Sequence, residues 1–172
     1  LVIGGSLGAR TINEAIEKKL SQFQKENIQL IWQTGKYFFE RAKKSATDNS
    51  GVKVFDFIQK MDMAYAAADI VISRAGALSI SELCVLGKAA VLVPSPNVAE
   101  DHQTKNAMAL VNKSAALLVR DTEAGEKLVD TSLSLLKDES QIAELKKNIL
   151  TLSVAEADER ICDELMKLAI TK

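Results

Sequence analysis

Three short stretches of the sequence carry residue types and spacings that could bind a phosphate and a sugar. A glycine-rich turn covers residues 4–10, Ser79 and Glu82 stand three positions apart, and a polar run covers residues 100–106. Glycines let a backbone approach a phosphate closely, and a helix start that follows them supplies N–H groups and a positive dipole end. Carboxylates and side-chain amides can bind sugar hydroxyls. Together the three stretches predict a site for a phosphorylated sugar.

Each stretch also has a purely structural interpretation. Ser79 and Glu82 fit a capping box, in which the two side chains satisfy free N–H groups at a helix start. The glycine turn could be a tight connection with no ligand, and His102 could be a solvated residue at a helix start. The residues taken singly leave these alternatives open, so the elements that position them must be considered.

Strands and helices alternate along the whole chain. The predicted strands are residues 1–3, 28–33, 52–55, 70–73, 89–93 and 116–119. The predicted helices are residues 9–23, 37–46, 61–68, 79–86 and 101–112, followed by two or three more in the charged tail up to residue 172. Short apolar strands between amphipathic helices indicate a Rossmann-like, doubly wound parallel sheet of the α/β class. Ligands of such sheets bind at the carboxyl ends of the strands, where all three stretches fall.

Composition places the chain among ordinary globular proteins. It has 172 residues, 47% hydrophobic content and a net charge of −1, which suits one domain spanning residues 1–172. No Lys/Arg cluster is interleaved with aromatic residues, so nucleic-acid binding has little support. No apolar run approaches the roughly 20 residues of a membrane-spanning helix. The tail has apolar residues at helical spacing, which predicts a packing surface: Leu133, Leu136, Ile142, Leu145 and Ile149.

The cysteines and the first residues add two further expectations. Cys84 and Cys162 lie in patterns typical of buried helix faces, which predicts reduced structural thiols with neither a disulfide nor a zinc site. The chain begins at Leu1 inside a predicted core strand and without Met. We therefore expect a fragment from which an N-terminal part is missing.

Two well-known nucleotide motifs are absent from the expected positions. A P-loop needs Gly-Lys-Ser/Thr at the helix start, and residues 4–10 do not contain it. A dinucleotide fold needs an acidic residue near the end of the second strand, which here ends in Trp32-Gln33-Thr34. The sequence therefore disfavours both classes. After the third strand, Phe57 and Ile58 could wall a flat base, although core packing would explain them as well.

The motifs together resemble the C-terminal domain of the MurG family. The resemblance is carried by Gly-Gly-Ser-Leu-Gly-Ala-Arg at residues 4–10, Ala-Tyr-Ala-Ala-Ala-Asp at 64–69, Arg-Ala-Gly-Ala-Leu-Ser-Ile-Ser-Glu at 74–82 and Asp-His-Gln at 101–103. Members of this family transfer N-acetylglucosamine from UDP to lipid I and so make lipid II in peptidoglycan synthesis, cell wall biogenesis and cell division. The resemblance implies the donor-binding, C-terminal half of a GT-B glycosyltransferase.

The resemblance also implies roles for individual residues. Donor binding falls to Ser6, Ile58, Ala77, Leu78, Ser79, Ile80, Ser81, Glu82 and Gln103. Supporting positions are Gly5, Phe57, Met61, Gly76, His102 and Asn106. In this scheme Ser6 contacts the diphosphate, the Ile58 backbone pairs with the uracil edge, Glu82 takes the ribose hydroxyls and Gln103 those of N-acetylglucosamine. At position 102 this sequence has His where the family often has Gln, so His102 departs from the family pattern for a sugar contact.

The resemblance further implies how such a half contributes to an inverting transfer. Helix N-termini would stabilise the departing UDP without a metal or other cofactor, and the sequence has no Asp-x-Asp motif. No catalytic residue is expected in this chain: the missing N-terminal domain would carry the lipid I site, the base and a patch that binds the cytoplasmic side of the membrane peripherally. The alternatives are another GT-B nucleotide-sugar enzyme, such as UDP-N-acetylglucosamine 2-epimerase or a glycolipid transferase, and a non-catalytic nucleotide-binding module.

Overall fold

A parallel β-sheet forms the centre of the protein. The computed structural model describes residues 1–5, 7–154 and 156–170. The strands are β1 (Val2–Ile3), β2 (Leu30–Gln33), β3 (Val52–Phe55), β4 (Ile70–Ser73), β5 (Ala89–Leu92) and β6 (Leu117–Leu118). They lie in the order β3-β2-β1-β4-β5-β6, and every neighbouring pair is parallel. The predicted doubly wound α/β fold is confirmed.

Helices connect the strands and continue after the last of them. They are α1 (Arg10–Lys18), α2 (Leu20–Lys25), α3 (Phe39–Ser45), α4 (Met61–Ala67), α5 (Ala77–Leu86), α6 (His102–Val111), α7 (Ala124–Leu136), α8 (Glu139–Leu150) and α9 (Ala157–Ile170). The single helix predicted over residues 9–23 is wrong, because the backbone breaks at Lys19 between α1 and α2. Helix α5 begins at Ala77, two residues before its predicted start, and α6 follows a short 3₁₀ turn at Ala99–Asp101.

The strand residues alternate between two hydrophobic layers. Ile70 and Ile72 pack on one side of β4 with residues of α1, α2, α3 and α7, whereas Val71 packs on the other side with residues of α4, α5 and α6. Helix α8 joins the two layers, because Leu145 belongs to the first and Ile149 to the second. Since both faces of the sheet are covered, ligands can reach the strands only at their ends.

The tail is confirmed as packing surface in α7 and α8 but not in α9. Leu133, Leu145 and Ile149 are buried, and Leu136 and Ile142 pack against the same core. Cys84 is buried as predicted, but the prediction for Cys162 is wrong, because its side chain is exposed on α9. None of the described residues of α9 belongs to either hydrophobic layer, so Cys162 does not pack against the core. Among the described helices, none combines the length and apolarity that crossing a bilayer requires.

Candidate nucleotide-binding site

The strand order brings the glycine turn and the start of α5 together. The chain runs outward from β1 to β3 and then crosses back, so that β4 lies directly beside β1. Ile3 pairs with Ser73 at the ends of these two strands. The turn after β1 and the loop after β4 therefore leave the sheet side by side. In open α/β sheets, this reversal of strand order is where a crevice for ligands forms.

The glycine turn is docked tightly on the loop after β2. Gly8 and Gly35 both have positive φ, of +80° and +74°. A Cβ on Gly8 would clash with the carbonyl of Thr34, and a Cβ on Gly35 would clash with the carbonyl of Leu7. Gly5 is exposed at the front of the turn. Ser6, the predicted diphosphate ligand, lies outside the described residues.

Gln33 joins the glycine turn to the loop after β3. This side chain is 3% exposed, and its Nε2 donates to the carbonyl of Gly5 at 3.2 Å. The N–H of Ile58 donates to Gln33 Oε1 at 2.8 Å. Because the N–H of Ile58 is engaged inside the protein, only its carbonyl oxygen is left for the predicted contact with a uracil edge.

The loop after β3 borders a cavity of about 530 Å³. Phe57 and Ile58 line it together with Met63, and Phe57 is exposed while Ile58 is buried. Met61 is absent from the lining of this cavity and packs partly buried against the second core layer. The exposed ring of Phe57 offers this cavity an aromatic side chain on which a base could stack.

The N-terminus of α5 has no side-chain cap. Gly76 is the N-cap residue in extended conformation, so Ala77, Leu78 and Ser79 are the first three residues of the helix. Their N–H groups have no partner within the helix, and this end of the helix attracts anions. The capping-box interpretation is wrong, because the N-cap is Gly76 and Ser79 stands three residues inside it.

Glu82 is held by a tyrosine rather than by the helix start. Tyr65 donates its hydroxyl to Glu82 Oε2 at 2.9 Å. Tyr65 is buried on α4, whereas Glu82 is exposed on α5 one turn after Ser79. Burial raises the pKa of Tyr65, and the Glu82 carboxylate raises it further. The tyrosine therefore stays protonated and keeps donating to the carboxylate.

Two amides on α6 hold the loop in front of α5. Gln103 Oε1 accepts from the N–H of Ala75 at 3.3 Å and from the N–H of Ser95 at 2.9 Å. Asn106 Nδ2 donates to the carbonyl of Ala75 at 3.2 Å. Since Gln103 Oε1 is engaged with the backbone, its Nε2 is the atom suited to a sugar hydroxyl. His102 is exposed at the first position of α6.

Arg74 connects the same loop to its neighbours. Its guanidinium donates to the carbonyls of Val93 and Pro94, at 3.1 and 3.2 Å, and pairs with Asp121. Thr11 at the start of α1 donates to the other oxygen of Asp121 at 3.1 Å. The Arg74 guanidinium thus holds together the loops that follow β4, β5 and β6.

Ile80 and Ser81 line a groove that Glu82 does not border. Leu110 of α6 and Lys113, which follows α6, line the same groove. A part for their side chains in donor binding stays a prediction. Across the described ranges, no three His, Cys, Asp or Glu side chains come close enough to hold a metal ion.

Gln33 and Tyr65 were not identified as site residues from the sequence. The sequence does carry a signal for Gln33, because it follows the apolar residues Leu30-Ile31-Trp32 at the end of a strand. A buried amide must find hydrogen-bond partners, which indicates that Gln33 contacts neighbouring loops. Tyr65 stood within the matched stretch 64–69 but carried no indication that it would reach Glu82.

Comparison with known proteins agrees with this geometry. Residues 1–161 match the model of the glycosyltransferase family 28 C-terminal domain. A curated relative from Porphyromonas gingivalis is 55% identical over 98% of this chain and 45% of its own length. That relative is named UDP-N-acetylglucosamine–N-acetylmuramyl-(pentapeptide) pyrophosphoryl-undecaprenol N-acetylglucosamine transferase. The chain spans about half the length of the curated relatives it matches.

One solved structure agrees with the family assignment, and a second shares the fold. The MurG of Acinetobacter baumannii is 30% identical with a TM-score of 0.84, over 96% of this chain and 48% of that one. A UDP-N-acetylglucosamine 2-epimerase, 19% identical over 99% of this chain and 44% of that one with a TM-score of 0.65, shares the fold. The match over residues 1–161 confirms the resemblance predicted from the motifs: this chain belongs to the glycosyltransferase family 28 C-terminal domain family.

Proposed function

We propose that this chain is the donor-binding half of an inverting glycosyltransferase that moves N-acetylglucosamine from UDP to lipid I. The observation that carries the proposal is the carboxylate of Glu82, held by Tyr65 beside the uncapped N-terminus of α5. An anion-binding helix end and an oriented hydroxyl acceptor are what a nucleoside diphosphate requires. The name of the Porphyromonas gingivalis relative supports the choice of donor and acceptor.

The roles in donor binding follow from the chemistry of the described groups. The N–H groups of Ala77, Leu78 and Ser79 face the diphosphate, and Glu82 accepts from the ribose hydroxyls. These N–H groups would also stabilise the negative charge that develops on the departing UDP, which lowers the barrier to transfer. Gln103 Nε2 donates to a hydroxyl of N-acetylglucosamine.

Transfer needs more than this chain in our proposal. The relatives are about twice as long, and we assign the lipid I site, the catalytic base and peripheral attachment to the cytoplasmic side of the membrane to the part of their length that this chain does not match. The fold shared with an epimerase at 19% identity does not favour epimerase activity, because the likeness extends only to architecture.

Calorimetry tests the proposal. The chain should bind UDP and UDP-N-acetylglucosamine with the same affinity in EDTA as in magnesium, and should bind GDP much more weakly. Equal affinity for GDP, or loss of binding in EDTA, would contradict the proposal. The chain alone should not turn over a lipid I analogue, and turnover should appear only when the other half of a relative is supplied. Turnover by residues 1–172 alone would overturn the assignment of the base to the other half.

A further inference from the structure

The buried amide of Gln33 points to a function that no motif of the sequence indicates. We infer that Gln33 is a positioning residue that sets the preference for uracil over cytosine and holds the glycine turn in place. The inference rests on the proposed function, because it concerns how the same site recognises a nucleotide. Gln33 ends β2, between the turn after β1 and the loop after β3.

Both ends of the Gln33 amide are used, and its orientation is determined by its partners. The Gly5 carbonyl can only accept, so it must face Nε2, which lies 3.2 Å away. The Ile58 N–H can only donate, so it must face Oε1, which lies 2.8 Å away. Rotating the amide by 180° would set Nε2 against the Ile58 N–H, which are both donors, and Oε1 against the Gly5 carbonyl, which are both acceptors. The side chain is 3% exposed, so water cannot readily replace either partner.

The bond to Ile58 has a consequence for the base. With its N–H engaged, Ile58 offers a nucleotide only its carbonyl, which is an acceptor. The edge of uracil presents an N3–H donor to such a carbonyl, whereas cytosine presents an N3 acceptor at the same position. Uracil therefore gains a hydrogen bond, and cytosine meets an acceptor–acceptor contact, which costs more than the absence of a bond. If the Ile58 N–H were free, it could donate to cytosine N3 and reduce the difference.

The bond to Gly5 has a consequence for the phosphates. The Gly5 carbonyl accepts from Gln33 Nε2 and also from the N–H of Gly8 at 3.1 Å. Both donors keep this carbonyl oxygen directed into the protein. A carbonyl turned outward would bring a partial negative charge toward a diphosphate, so its inward orientation favours anion binding.

Two substitutions separate these roles. Gln33→Met removes both bonds with a side chain of similar length. Gln33→Glu keeps an oxygen for the Ile58 N–H but sets a carboxylate oxygen against the Gly5 carbonyl. Ser132→Ala is the control, because it also removes a hydrogen bond of a buried polar side chain. Ser132 is 1% exposed, and its hydroxyl donates to the carbonyl of Leu128 at 2.8 Å on α7, away from the candidate site.

Affinities for UDP, CDP and UMP, measured by calorimetry, give the readout. Gln33→Met should lower the UDP-to-CDP affinity ratio by about tenfold. Gln33→Glu should keep that ratio but lower the UDP-to-UMP affinity ratio. The Gly5 carbonyl would lose its donor and could turn outward, toward the second phosphate of UDP. Ser132→Ala should leave both ratios unchanged. Equal losses for all three nucleotides in both Gln33 variants would show a merely structural role and overturn the inference.

A measurement on the wild-type chain does not depend on how the variants fold. The Ile58 amide proton should be protected from exchange in the free protein, and its NMR shift should barely change when UDP binds. Rapid exchange in the free protein, or a hydrogen bond from the Ile58 N–H to the bound nucleotide, would overturn the inference. If the wild-type chain binds no UDP at all, the proposed function fails, which is distinct from UDP binding with unchanged ratios in the Gln33 variants.

Discussion

Tyr65 on α4 donates its hydroxyl to Glu82 Oε2 on α5 across 2.9 Å. A carboxylate has about four acceptor positions, and this bond occupies one of them. Because the phenol is anchored in the core, it restricts rotation of the carboxylate and orients the remaining positions toward solvent. In our proposal, the pair prepares an acceptor for the two neighbouring hydroxyls of a ribose before any ligand binds.

Glu82→Gln should weaken UDP binding by about tenfold or more, because hydrogen bonds to an ionised acceptor are worth about 1.5–3 kcal/mol. The melting temperature should hardly change, since Glu82 is exposed and does not cap α5. Titration with UDP and with 2′-deoxy-UDP measures the effect, and the loss should be smaller for the deoxy ligand. Ser79→Ala is the stability control and should leave the melting temperature nearly unchanged. Unchanged UDP affinity in Glu82→Gln would remove the ribose role.

Tyr65→Phe should weaken UDP binding by less, about three- to fivefold, because the carboxylate keeps its charge but loses its orientation. The double variant with Glu82→Gln should be little weaker than Glu82→Gln alone, since the tyrosine acts through the carboxylate. Calorimetry on the four proteins of this cycle measures the coupling. Strictly additive losses would mean that Tyr65 affects binding independently of Glu82.

The stability of the fold should depend on Tyr65 at alkaline pH. Burial, and then the Glu82 carboxylate, raise the pKa of Tyr65 above its usual value of 10.0. Below that pH the unfolded chain also keeps the proton, and the stabilisation is fully present. As the pH rises past it, the unfolded chain loses the proton first, so the free energy of unfolding falls. Denaturant titrations between about pH 9 and 11 should show a shallower fall in Tyr65→Phe than in wild type, and parallel curves would contradict this.

Sequence patterns were sufficient for the fold but not for the contacts within the site. The strands could be predicted because residues such as Val71 and Leu92 are buried on a sheet covered on both faces, which produces continuous apolar runs. The start of α5 could not be predicted from these patterns. Ser79 and Glu82 match a capping box, which places the start at Ser79, but the N-cap residue of the helix is Gly76. The role of Gln33 depends on the end of β2 and two loops, which meet only in the folded chain.

Gln103→Glu should separate sugar binding from loop support. The new side chain keeps an oxygen for the N–H groups of Ala75 and Ser95 but loses the donor assigned to the sugar. The affinity for UDP-N-acetylglucosamine should fall severalfold while that for UDP changes little. Calorimetry with both ligands measures the ratio of the two affinities, and an unchanged ratio would contradict the assignment.

Asn106→Asp should act on the loop itself. It sets a carboxylate oxygen against the Ala75 carbonyl, which Asn106 Nδ2 contacts at 3.2 Å in the wild type. The free energy of unfolding should fall by about 1–3 kcal/mol, because a partly buried acceptor loses its donor. Affinities for UDP and UDP-N-acetylglucosamine should fall together, so their ratio stays constant. A changed ratio with intact stability would give Asn106 a direct contact with the sugar.

The docking of the glycine turn on the loop after β2 places the same constraint on Gly8 and Gly35, which are distant in the sequence. Each has positive φ, and a side chain on either would strike the backbone of the other's loop. In a library of all single substitutions at Gly8 and Gly35, we therefore expect no other residue to be tolerated. The variants should lower the abundance of folded protein rather than its affinity for ligand. Alanine at both positions together should be no better than alanine at one, because each clash is with backbone that the other substitution does not move. Under selection, both positions would then keep glycine, because no change in one loop relieves the clash in the other.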